Sequence, residues 1–124
     1  MIMENKTCSC KDDTVKTVFA CSGAADLGEI SDLVARKMYH DGLRQMKCLA
    51  FIGGGIQEMI DSVKETNMLV IDGCDLDCGK LTMEKNGISD FHHLRLTDLN
   101  YVKGQTPATD STVLIITEHA TRAI

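Results

Sequence analysis

Met68-Leu-Val-Ile-Asp-Gly-Cys-Asp-Leu-Asp-Cys78 is an apolar, strand-like run that empties directly into Asp72-Gly73 and two thiols at C-x3-C spacing. The same grammar occurs earlier: Val15-Lys-Thr-Val-Phe-Ala20 ends on Cys21-Ser22-Gly23. Two strands that each hand a cysteine to the loop behind them imply that both loops lie at one edge of one sheet.

Outward from these runs the chain alternates in period. Ile30, Leu33, Val34 and Met38 share one helical face, behind Asp26-Leu-Gly-Glu29, where an N-cap acceptor is followed three residues on by a carboxylate, and ahead of Gly42 as a stop. Met46 to Ile52 is a second apolar run, expected as a strand, with Gly53-Gly54-Gly55 as a tight turn into a helix carrying Ile56, Met59, Ile60 and Val63. A helix around Lys80 to Lys85, ended by Asn86-Gly87, precedes a fourth strand from Phe91 to Leu96.

This β-α-β-α-β-α-β order predicts the α/β class: a small three-layer Rossmann-like domain with a mostly parallel four-stranded sheet and right-handed crossovers. Residues 1–12 are expected as an arm on this single domain of residues 1–124, and residues 108–124 as a closing helix or strand. The helix is preferred there, with Val113, Ile116 and Ala120 on its face and Asp110 or Ser111 as cap.

Composition narrows the function classes. The 124 residues, 44% of them apolar, suffice for one ordinary core. Net charge is -5 and the thirteen Lys and Arg are scattered, so no footprint for nucleic acid is present. No apolar stretch reaches the roughly 18 to 20 residues that span a bilayer, and Glu4, Asp12 and Asp13 stand near the start, so no membrane association and a cytoplasmic location are expected. In such a reducing compartment six cysteines read as metal ligands or reactive thiols rather than as disulfides.

A parallel sheet brings Cys21, Cys74 and Cys78 together at its C-terminal edge, where three thiolates could hold zinc with one further ligand. Two helix N-termini point at the same place and favour thiolates. Asp72, Asp75 and Asp77 add negative charge, which opposes an unpaired thiolate and welcomes a dication. From its own residues Cys48, within or just before the second strand, reads first as a buried core thiol. Cys8 and Cys10 on the arm are an even choice between ligand and bystander. His40, His92, His93 and His119 read as surface or satisfied groups, and a C-x5-R phosphate loop fails because Leu27 stands where arginine is needed.

Phe19-Ala-Cys-Ser-Gly-Ala-Ala25, Met46-Lys-Cys-Leu-Ala50 and Ile71-Asp-Gly-Cys-Asp-Leu-Asp-Cys78, taken in order, resemble the DGC-domain family of proposed zinc-binding proteins. Phe91-His-His-Leu-Arg-Leu-Thr-Asp-Leu99 with Lys103-Gly104 is similar as well, so the resemblance runs from about residue 8 to about residue 107. It implies four cysteine chelators, falling on Cys21, Cys48, Cys74 and Cys78, with zinc as the cofactor, and so moves Cys48 from core thiol to ligand. Asp75-Leu-Asp77 departs from the family, which commonly has Pro at the first of these positions.

Three functions compete on this reading. The first is a zinc-binding protein that binds, senses or delivers the metal, without turnover. The second is a thiol oxidoreductase or metal(loid)-handling enzyme in which Cys21 attacks and the Cys74/Cys78 pair resolves. The third is a structural zinc site beneath an unrelated binding surface.

Overall fold

The computed structural model describes residues 14–123; the arm at residues 1–12, with Cys8 and Cys10, lies outside the described residues. In chain order the elements are β1 (Lys16–Ala20), α1 (Asp26–His40), β2 (Gln45–Met46), α2 (Leu49–Gly53), α3 (Gln57–Lys64), β3 (Asn67–Asp72), α4 (Cys78–Lys85), β4 (His92–Arg95), a 3-10 turn (Leu96–Leu99) and α5 (Asp110–Ala123). The four strands form one sheet in the order β2-β1-β3-β4, and every pairing is parallel. The fold is therefore α/β and Rossmann-like, as the alternation of periods requires.

Strand periodicity divides the core into two layers. Val18, Ala20, Leu69, Ile71 and Leu94 face α1 and α5, which contribute Ile30, Val34, Met38, Val113 and Ile116. Phe19, Met68 and Val70 face the other way, onto Ile52, Ile60, Val63 and Met83 of α2, α3 and α4. Each such side chain removed from water contributes on the order of 1.5–3 kcal/mol, so the two central strands, buried on both faces, anchor everything attached to their ends.

Connectivity then fixes where a site can form. From β1 the chain runs through α1 to β2 on one side, whereas from β3 it runs through α4 to β4 on the other. The strand order thus reverses between β1 and β3, and the crevice beyond their C-terminal ends is the place where open α/β sheets take ligands.

Three local expectations are corrected. The run from Met46 to Ile52 is not one strand: β2 stops at Met46, and Leu49–Gly53 is a helix, α2. A short apolar run satisfies either period, and here Ile52 is fully buried against the second core layer with Leu49 and Phe51 packed beside it. Gly53-Gly54-Gly55 accordingly joins two helices rather than a strand and a helix. At α1 the N-cap is Ala25, because the Asp26 carboxylate accepts from the Gly104 and Thr106 amides at 2.9 and 3.0 Å as well as from its neighbour Leu27. In α5, the preferred helix, the capping oxygen is Thr109 Oγ1, which accepts from the Thr112 amide at 3.2 Å, in place of Asp110 or Ser111.

Candidate metal centre

Cys21 is the first residue beyond β1, and its amide donates to the Ile71 carbonyl at 3.0 Å, which carries the β1–β3 ladder one step past the strand. Its Sγ lies 3.3 Å from Ser31 Oγ, and that hydroxyl donates to the Gly28 carbonyl at 2.8 Å. A hydroxyl has one proton to give, so in this arrangement the Cys21 thiol is the donor to Ser31. Ser22 follows in the left-handed region at φ 51, with its Oγ donating to Asp32 at 2.8 Å.

Across the crevice Asp72-Gly73-Cys74 divides its work residue by residue. The Asp72 side chain is 1% exposed and accepts from the Gly79 and Lys80 amides at 2.7 and 3.0 Å, so it caps α4 from seven residues upstream of its first partner. Gly73 lets the loop pass against α1: a Cβ there would lie 2.8 Å from the backbone carbon of Leu27. Cys74 then faces Cys21. Together Cys21, Cys74 and Cys78 line one cavity of about 410 Å³, with Gly23, Ala24, Ala25, Leu27, Leu76 and Lys103 among its other walls.

Of the three carboxylates expected to bathe these thiols in negative charge, Asp72 and Asp77 are engaged elsewhere and Asp75 is exposed. Asp77, which opens α4 in a left-handed conformation at φ 56, makes no cap bond. Instead it receives Arg95 through two bonds of 2.8 and 2.5 Å, and Arg95 also reaches Asp98 at 3.3 Å. These bonds from Arg95 hold the Asp77 carboxyl below the usual carboxylate range and raise the guanidinium. His93 Nε2 lies 2.8 Å from Asp72 and 3.8 Å from Asp77.

Asp72, Asp77 and His93 offer donor atoms within 4.8 Å of one another, and they are the set of three that does so among the described residues. Their atoms could share an ion. As they stand, however, the oxygens of Asp72 are occupied by amides and imidazole, and those of Asp77 by guanidinium, so the cluster acts as a brace from β4 to the cysteine loop. Sequence reasoning missed this brace. The signal lies in register, for Asp72 pairs with Arg95 and Val70 with His93, which stacks the three polar residues at one corner of the sheet.

Cys48 is placed differently. It is exposed rather than a buried core thiol, and it follows β2 at the N-cap position of α2. That position is on the same sheet edge, but it opens onto a second cavity of about 760 Å³, lined by Arg36, Tyr39, His40 and Lys47 among others. Among the described residues no three thiols lie within 4.8 Å of one another. The structure thus brings three cysteines to one cavity and leaves Cys48 beside it. His40 and His92 are exposed, and His93 is satisfied by Asp72.

A cation also stands beside Cys74. Lys103 Nζ lies 3.8 Å from Cys74 Sγ, on the loop whose Gly104 and Thr106 amides Asp26 holds. The Gly104 bond foremost, then that of Thr106, keeps the Asp26 carboxyl below its ordinary value.

With this geometry in place, comparison with known families matches residues 17–120 to the DGC domain, past residue 107 and through most of α5. The chain is also 27% identical over 88 residues to the anaerobic and virulence modulator AnvM of Pseudomonas aeruginosa, across 70% of this chain and 67% of that protein. No solved structure matches. No helix among the described residues is long and apolar enough to cross a membrane.

Proposed function

The chain belongs to the DGC domain family, and from that premise we propose that it binds zinc through cysteine thiolates at the C-terminal ends of its parallel strands, in a metal-binding, sensing or delivery role. The observation that carries this reading is the shared cavity of Cys21, Cys74 and Cys78 at the point where strand order reverses. Sulfur donors of this kind suit zinc in chemistry. The three sulfurs are not all within 4.8 Å of one another, so loading draws Cys74 inward with the exposed tip at Asp75 and Leu76, while Gly73 and Asp77 keep their ties.

Cys48 is the fourth donor in this proposal, since a tetrahedral ion needs one more ligand and Cys48 is the remaining described thiol on the same edge. Bound zinc would supply charge and a fixed tetrahedral geometry. The chain's part is to position the sulfurs: β1 holds Cys21, the Asp72 cap fixes the start of α4 at Cys78, and the Arg95–Asp77 pair holds the loop between. A regulatory role agrees with the relative named as a modulator.

The test is the metal content of the full chain purified under reduction without added zinc, before and after thiol alkylation. About one zinc per chain, released by alkylation, supports the proposal; a metal-free chain that takes up neither zinc nor cobalt refutes it.

A second reading, a thiol oxidoreductase or metal(loid)-handling enzyme, draws on two observations: Lys103 stands beside Cys74, and the carboxylates of Asp72 and Asp77 are neutralised by other partners. Rapid turnover of a model disulfide by the metal-free, reduced chain would favour it over the first.

A further inference from the structure

The number of thiols in the crevice and the nature of its other walls lead to a narrower conclusion, which rests on reading Cys21, Cys74 and Cys78 as one metal-binding set. Besides the sulfurs, the cavity is walled by glycine, alanine, leucine and the single amine of Lys103, with no carboxylate or imidazole among the described lining residues. Of the neighbouring hard donors, Asp72, Asp77 and His93 are engaged with one another, with Arg95 and with the α4 amides, and Asp75 is exposed and outside the lining. The fourth described thiol, Cys48, opens onto a different cavity. What remains is three soft donors in a largely apolar hollow.

We propose that this hollow is a three-sulfur site for a trivalent thiophilic metalloid of the arsenite type, filled by Cys21, Cys74 and Cys78 without Cys48. The reaction balances without an oxidant or reductant. Each of three thiols forms one As–S bond as one As–O bond of arsenous acid breaks; each S–H proton leaves with a hydroxyl as water, and arsenic stays trivalent.

Charge and coordination number both favour this occupant over a dication. A tris-thiolate of trivalent arsenic is neutral and complete with three ligands. Three thiolates around a dication leave a net negative charge against Leu27, Leu76, Ala24 and Ala25 and still need a fourth donor. Lys103, 3.8 Å from Cys74, adds a positive charge that further disfavours a dication.

The experiment uses the full chain, reduced with a phosphine, and sodium arsenite as probe. X-ray absorption at the arsenic edge of the wild-type chain should count three sulfurs, and mass mapping after alkylation should show Cys21, Cys74 and Cys78 protected and Cys48 modified. Cys48→Ser should leave arsenite affinity within about twofold while weakening zinc about tenfold, and Cys21→Ser, Cys74→Ser and Cys78→Ser should each weaken arsenite by about tenfold or more.

Protection of Cys8 and Cys10 instead would overturn the proposal, as would zinc that withstands equimolar arsenite on four sulfurs; the latter leaves the zinc reading intact. A chain that takes up neither species refutes both readings together. Because the sulfur count and the protection map come from the wild-type chain, the outcome does not depend on any variant folding.

Discussion

The loop from Asp72 to Cys78 and the segment from Gln45 to Leu49 both follow parallel strands and both carry cysteine, yet the fold treats them in opposite ways. The first leaves a six-residue central strand buried on both faces and is tied down by Asp72 to α4, by Asp77 to Arg95 and by Gly73 against Leu27. The second leaves a two-residue edge strand, and its Cys48 stands exposed at the head of a five-residue helix. A thiol's place at the C-terminal edge thus does not by itself fix its position, and exposure does not separate the two segments either, since Cys78 is exposed as Cys48 is. What matters is whether the strand before it and the braces after it hold it in one position.

Breaking the better-held loop should have the largest effect. Asp72→Ala strands the Gly79 and Lys80 amides and the His93 imidazole in a corner that water does not reach freely. The expected loss is about 2–3 kcal/mol of folding stability in a denaturant titration, with loss of thiol-bound metal, because Cys78 begins the helix that Asp72 caps. Equal stability in Asp72→Ala and wild type would remove the brace from the account.

A smaller and more selective effect is expected from Arg95→Met. The Arg95–Asp77 pair is partly exposed, so stability should change by less than about 1 kcal/mol, whereas metal affinity should fall about tenfold because Asp77 keeps its left-handed conformation through that pair. Competition with a chromophoric chelator measures the affinity. If Asp77→Ala in the Arg95→Met background lowers it no further, the two side chains act as one unit.

Cys48→Ser alters the loosely held segment instead. Stability should be unchanged within about 0.5 kcal/mol, since the side chain is exposed. Its alkylation rate in the wild-type chain should exceed that of Cys21, which is half-buried and bonded to Ser31.

The smallest effect is local and depends on pH. Asp26 has a folded pKa below its ordinary value of 3.8, so its contribution is present above the unfolded pKa and is lost as pH falls through the folded one. The Gly104 and Thr106 amide resonances should therefore titrate with a midpoint below 3.8, releasing the Lys103 loop in acid, and Asp26→Asn should abolish that transition.

Much of this was legible in the sequence for a definite reason. β1 and β3 are strands buried on both faces, so their apolar runs carry little ambiguity, and glycine stops such as Gly42 and Gly87 adopt the positive φ that ends α1 and α4. Cys21, Cys74 and Cys78 inherit that clarity, for each lies within a few residues of a strand end. What the sequence could not show depends on pairing. Leu49 to Gly53 fits two periods until its neighbours are known, and Asp72, Asp77, His93 and Arg95 are scattered acids and bases until the β3–β4 register stacks them. The negative charge around the thiols is smaller than the three carboxylates suggest, because Asp72 and Asp77 already have partners and Asp75 stands exposed.

The most direct test of the central claim is the absorption spectrum of the cobalt-substituted full chain and of its three single serine variants. The wild type should show a thiolate-to-cobalt charge-transfer band that is lost or strongly reduced in Cys21→Ser, Cys74→Ser and Cys78→Ser alike. A wild-type chain without that band, or a band unchanged in all three variants and removed only by Cys8→Ser or Cys10→Ser, would contradict it.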